Sequence, residues 1–174
     1  MRKYLCAFAF AILAGGLLGS SVFADETLVR FKGGIGVIPV SNVLVNAVTG
    51  AITVNRNVVR GVNPAGQIWV IRELKADVKV DGRIKVDGRG LLLGGGNNIG
   101  SNSDASVFAT LICGTAAPTL HSSDLAGVAL EPNGDFRIDD DLDIVPPNPC
   151  ASPVLLIRNA SNLGWFAAGI PKLQ

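Results

Sequence analysis

A chain of 174 residues with 15 Lys and Arg against 14 Asp and Glu is close to neutral, which excludes the basic stripe that nucleic acid recognition needs. Aromatic residues make up 6% of it, and beyond residue 24 there is no tyrosine, so the surface expected of a sugar- or base-stacking protein is missing. The length fits one ordinary domain behind a leader.

The leader comes first. Arg2 and Lys3 form a short basic head, residues 5–18 are apolar and broken only by glycine, and Ser20-Ser21-Val22-Phe23-Ala24 precedes a cut at Ala24/Asp25. This is the pattern of a secretory signal of bacterial type. Its apolar run of about 14 residues is short for a membrane span, which needs roughly 20. Residues 1–24 are therefore expected to form a signal-peptide helix and to be removed, Cys6 with them. That leaves residues 25–174 as a single domain, periplasmic or secreted, with no membrane span and with 13 basic against 14 acidic residues once Arg2 and Lys3 are gone.

Residues 33–40, Gly-Gly-Ile-Gly-Val-Ile-Pro-Val, are predicted to form an edge or bulged strand, because Pro39 has no N–H to give a central ladder. Residues 43–48 and 51–59 read as a hairpin around Thr49-Gly50, and Asn63-Pro64-Ala65-Gly66 as a turn. From residue 68 to 80 the chain alternates. Ile68, Val70, Leu74, Ala76, Val78 and Val80 share one side; Trp69, Ile71, Glu73, Lys75, Asp77 and Lys79 share the other. A period of two predicts a strand, and Arg72, the one break on the apolar side, is expected in solvent at the sheet edge.

The pentapeptide Lys-Val-Asp-Gly-Arg occurs at residues 79–83 and again at 85–89. A two-residue turn at Asp81-Gly82 would set apolar side chains against charged ones. A three-residue turn, Val80-Asp81-Gly82 with Gly82 left-handed, pairs Lys79 with Arg83 instead. Val78 then faces Ile84, Ala76 faces Val86 and Val70 faces Leu92, while Asp77 meets Lys85, Lys75 meets Asp87 and Glu73 meets Arg89. Three opposite-charge pairs follow from one register, each worth roughly 0.2–1 kcal/mol. The second Asp-Gly falls inside the returning strand with Gly88 opposite Leu74, where glycine marks a bulge or another backbone close by. The repeat is thus architecture in both copies and not a ligand motif.

Residues 94–104 are rich in Gly, Asn and Ser. They match neither nucleotide fingerprint, contain no Gly-Lys-Ser/Thr and run into a strand-like segment at 106–113, so they read as a plain loop. Residues 128–131 and 135–138 flank a turn at Pro132-Asn133-Gly134 that sets Leu130 against Phe136 and Val128 against Ile138. Residues 146–150, Pro-Pro-Asn-Pro-Cys, form a stiff crossing, and residues 154–157 and 165–170 give two closing strands. With about eight or nine short strands and no helix after the leader, the fold class is all-β: an antiparallel β-sandwich, with a barrel as the alternative.

Side chains able to do chemistry are few. Cys113 and Cys150 are the two cysteines left after the leader and are expected to form one disulfide, worth about 4 kcal/mol if it acts by loop closure. Asp139, Asp141 and Asp143, within the acidic run at 139–143, are candidate calcium ligands. The run lacks the glycine and the final glutamate of a regular calcium loop, and a solvated acidic loop is preferred. His121, Ser122 and Asp124 have the residue types of a hydrolytic triad, but sequence neighbours seldom converge in space and no nucleophile elbow is present. Asn159-Ala160-Ser161 matches a glycosylation sequon by residue type alone. The expected function is that of an exported, non-catalytic binding or structural module of the cell envelope, with no cofactor, whose partner is a protein or an envelope component. A small hydrolase or metal-dependent enzyme centred on His121, or a calcium-binding module, is the alternative. An exposed apolar strand edge at residues 35–40 is a further place where a partner could add a strand.

Overall fold

The computed structural model describes residues 26–172; the expected leader, with Cys6 and the Ala24/Asp25 cut, lies outside the described residues. Among these no helix occurs and thirteen strands do: β1 Thr27–Gly36, β2 Val40–Val45, β3 Ile52–Arg56, β4 Trp69–Val70, β5 Glu73–Lys79, β6 Arg83–Arg89, β7 Leu92–Leu93, β8 Ser106–Cys113, β9 Thr119–Ser122, β10 Val128–Ala129, β11 Phe136–Asp141, β12 Val154–Asn159 and β13 Trp165–Pro171. The number exceeds the expected eight or nine because the long run at residues 68–80 is two strands, and because several pairings are only two residues long.

Nine strands make one curled antiparallel sheet in the order β10-β8-β12-β13-β1-β5-β6-β11, with β9 also pairing β8. Its two halves face each other across a single core, as in a sandwich. The strands at the two ends of the order, β10 and β11, are consecutive in the chain and are joined by a turn in which Glu131 N–H donates to Asp135 O at 2.9 Å. Just past β11, Asp143 N–H donates to Ser122 O of β9 at 2.8 Å. The sheet therefore meets itself along a seam. Val78, Ile84, Leu111, Leu155 and Ile157 are fully buried inside it. A disulfide ties Cys113, the last residue of β8, to Cys150 in the proline-rich crossing, with the two Cα atoms 5.1 Å apart.

The β5–β6 hairpin has the register that the charge pattern predicts, from Glu73 opposite Arg89 to Val78 opposite Ile84, and Gly82 has φ +97°. Alternation then sends Leu74, Ala76, Val78, Ile84 and Val86 into the core. The ladder breaks at Ile71-Arg72, beyond which β4 pairs with β7 and Val70 lies opposite Leu92, as expected. The inward side does change there. Trp69 is buried, while Ile68 and Val70 are exposed, contrary to a single uninterrupted strand. Trp69 instead stacks on Phe166 at 3.9 Å between ring centroids. Arg72 lies in solvent, 3.8 Å from Asp135.

Three other expectations need correcting. The glycine-rich segment at residues 33–36 does contain a bulge, between Phe31 and Gly34, but β1 is a central strand between β13 and β5. Pro39 is tolerated because it falls after β1 has ended. The arms around Pro132-Asn133-Gly134 form no ladder with each other, since β10 is taken up by β8 and β11 by β6. Gly88 makes room for a ring and not for a backbone: Phe136 sits directly opposite it on β11, and a Cβ on Gly88 would overlap that ring. The ring covers the glycine and fills the position its missing side chain leaves.

Replacing Gly88 with Ala is expected to destabilise the protein by about 1–3 kcal/mol through overpacking. In a Phe136→Ala background the same change is expected to cost much less, because the two residues share one space. Equal costs in the two backgrounds, measured by denaturant unfolding, would refute this packing.

Candidate functional site

The residues singled out for chemistry are brought near one another but are not joined into a site. His121 and Ser122 are neighbours on β9, so their side chains leave opposite faces. The buried imidazole of His121 lies 2.9 Å from the Ile144 carbonyl through Nδ1 and 2.9 Å from Thr119 Oγ1 through Nε2. A carbonyl only accepts, so Nδ1–H donates to Ile144 and Nε2 is left to face the Thr119 hydroxyl. Neither ring nitrogen contacts Ser122 or Asp124. The Ser122 hydroxyl is 3.0 Å from Thr110 Oγ1, which in turn accepts from Arg158 Nη1 at 3.3 Å. Arg158 is half-buried, with its guanidinium 5.1 Å from the centre of the Phe108 ring, and burial draws its pKa below the ordinary arginine value. Asp124 accepts from the N–H of Ala126, closing its own turn. His121 thus reaches across the seam, Ser122 bonds within the β8–β9 pair and Asp124 closes its own turn.

Residues 139–141 of the acidic run end the strand β11, and Asp143 lies just past it. Asp139 and Asp141 point outward from β11, where Asp139 meets Lys85 at 3.1 Å and Asp141 lies opposite Arg83. Asp143 Oδ1 accepts from the N–H groups of Ser122 and Ile144, both at 2.8 Å. Asp140 accepts from the N–H groups of Asp124 and Asp141. Among the described residues no three His, Cys, Asp or Glu side chains come together in a way that could hold a metal ion.

Two surface features remain. The outward face of β1, β5, β6 and β11 lines an open groove of about 640 Å³. Across it runs one row of Arg30, Asp77, Lys85 and Asp139 and a second of Lys32, Lys75, Asp87 and Arg137. The first row alternates in sign throughout. In the second, Lys32 faces Lys75, a like-charge pair that favours an anion nearby. Hydrogen bonding from Arg137, and then from Arg89, holds the Asp87 carboxyl below the ordinary aspartate value of 3.8. These pairs are exposed, so each contributes little to stability.

The second feature is the β2–β3 hairpin, and it is the one most unlike a finished protein surface. Val43 lies opposite Val54 and Val45 opposite Ile52, which puts all four on one face. They are 52%, 54%, 64% and 68% exposed, and Val48 at the tip is 93% exposed. The other face is more polar, with Leu44 opposite Thr53 and the Asn55 amide donating to Asn42 at 2.6 Å. Among the described residues β2 and β3 pair only with each other, which leaves both outer edges open. Polar contacts fix the hairpin at each end. At the tip, Asn46 Oδ1 accepts from the N–H groups of Val48 and Thr49. At the base, Asn57 N–H donates to Pro39 O, Arg56 to Pro64 O and the Trp165 indole to Asn57 O.

The hairpin itself is legible in the sequence, but its exposure is not. The expected edge at residues 35–40 is only partly there, since Ile35 is paired with Ala168 inside the sheet; the open edges lie on β2 and β3. The available signal was charge, because residues 38–55 contain no Asp, Glu, Lys, Arg or His. A hairpin destined for water normally carries some.

Comparison of the chain with protein-family models, curated proteins and solved structures finds no match in any of the three. The functional reading therefore rests on the geometry.

Two outcomes are expected in solution. Millimolar calcium should leave the melting temperature within about one degree of its value in chelator, because the Asp140 and Asp143 carboxylates are already spent on backbone amides; a rise of several degrees, reversed by chelator, would reveal a site. A pH titration followed by carboxyl NMR should place the Asp87 midpoint below 3.8 and move it upward in Arg137→Gln. A depressed folded-state pKa means that these pairs stabilise fully above the unfolded value and cease to do so as pH falls through the folded one. An Asp87 midpoint unmoved by R137Q would show that Arg137 is not its main partner.

Proposed function

We propose that this chain is exported to the periplasm or beyond and works there as a non-catalytic β-module of the cell envelope, docking onto a protein or envelope component. One observation carries the reading: the β2–β3 hairpin presents an uncharged apolar face that no other part of the described chain covers. A free two-stranded hairpin is marginal in water, and an apolar face of this kind marks an interaction site. The secretory pattern of residues 1–24 supports the location, as does the Cys113–Cys150 disulfide, a bond that persists in oxidising compartments. The engagement of His121, Ser122 and Asp124 in structural hydrogen bonds supports a role without catalysis.

Expressed with its own leader in a bacterial host, the chain is expected in the periplasmic or culture fraction, beginning at Asp25 and with Cys113 and Cys150 oxidised. Retention in the cytoplasm with Met1 in place would overturn the export reading. Turnover of ester, phosphoester or glycoside substrates that His121→Ala abolishes would overturn the non-catalytic one.

A further inference from the structure

We infer that the occupant of the β2–β3 face is a second copy of this chain, the two hairpins packing apolar face to apolar face about a two-fold axis. The inference rests on the docking reading above and names its partner. A two-fold interface uses the same patch on both subunits, so the patch must complement itself. The face made by Val43, Val45, Ile52 and Val54 does so. It is apolar throughout, it lies in a segment without a single charged side chain, and nothing in it selects a partner of opposite charge.

Lipid is the other apolar occupant, and residues 38–55 lack what seats a protein at a membrane surface. They contain no Trp or Tyr to lie at headgroup depth, and the one cation of the hairpin, Arg56 at its base opposite Val40, donates to the Pro64 carbonyl. Size points the same way as chemistry. Val43, Val45, Ile52 and Val54, with Val40 beside them and Val48 at the tip, together expose on the order of 600 Å² per copy, which sets a ceiling of about 1,200 Å² for a pair, the lower bound of stable specific interfaces. The hairpin is also fixed in advance at both ends by the Asn46 turn and by the Arg56, Asn57 and Trp165 contacts. Little order is then lost when the faces meet.

The test is the mass of the oxidised protein, expressed with its own leader, by sedimentation equilibrium up to about 100 µM. The expected result is twice the mass of one chain. Val43→Asp with Val54→Asp is expected to raise the dissociation constant at least about a hundredfold with the near-ultraviolet circular dichroism unchanged, since both side chains are more than half exposed and lie outside the buried core. The isosteric pair Val43→Thr with Val54→Thr, which keeps good strand formers, is expected to weaken the dimer about tenfold even if the aspartates disturb folding. Thr53→Asp, on the opposite face, is expected to leave it intact.

A wild-type chain that stays monomeric at that concentration overturns the inference, as does a dimer that the Val43 and Val54 variants leave unchanged or that T53D dissociates equally well. If the wild type is monomeric, flotation with neutral phosphatidylcholine vesicles separates the two levels of the argument. Flotation lost in the Val43→Asp/Val54→Asp variant would overturn the dimer while keeping the hairpin as a docking surface with lipid as its occupant. No flotation would overturn the dimer and the lipid occupant alike.

Discussion

The register of one hairpin organises most of this molecule. With three residues in the turn and Gly82 left-handed, β5 and β6 send Leu74, Ala76, Val78, Ile84 and Val86 to one side and their charged neighbours to the other. A slip by one residue would exchange the two sides along the whole hairpin. Because β1 adds to β5 and β11 adds to β6, the same choice sets which way Phe31 and Ile138 face. The alternating ion rows on the outer surface are the other product of that register. They add little energy individually, but in the slipped register each charge would lie against an apolar partner.

That register could be read from the sequence because two independent patterns, apolar alternation and charge complementarity, demand the same answer. Where only one pattern was available, reading was less secure. Around Trp69 both sides of the strand are apolar, so nothing in residues 68–71 shows that the inward side changes where the ladder breaks; the choice is made by the Phe166 ring on β13, far away in the chain. Gly88 was recognisable as a place of close approach. What approaches it depends on β11 lying next to β6, a pairing that no local pattern specifies.

The candidate site divides along the same line. His121, Ser122 and the aspartates are conspicuous in the sequence because their chemistry is rare in this chain, yet the fold uses His121, Asp140 and Asp143 as hydrogen-bonding groups where the sheet meets itself and the others within the sheet or on its surface. The β2–β3 hairpin was visible as an element and ordinary as a pattern. Alternation states that one face is apolar, but it does not state that another layer lies over that face. Only the absence of any charge over residues 38–55 distinguishes this hairpin from the others, and that absence acquires a meaning once both edges and one face are seen to be open.

The position of the disulfide gives the fold two mechanically different parts. All of β9, β10 and β11, together with the turn that links the two ends of the sheet order, lie between Cys113 and Cys150. These strands form a covalent ring clasped onto a body made of β1, β5, β6, β8, β12 and β13, whose mutual pairings run entirely outside it or along its rim. Cys113 ends β8 and Cys150 stands four residues before β12, its neighbour in the sheet, so the bond closes the ring at strands already side by side and fixes the length of chain from which β9, β10 and β11 are drawn.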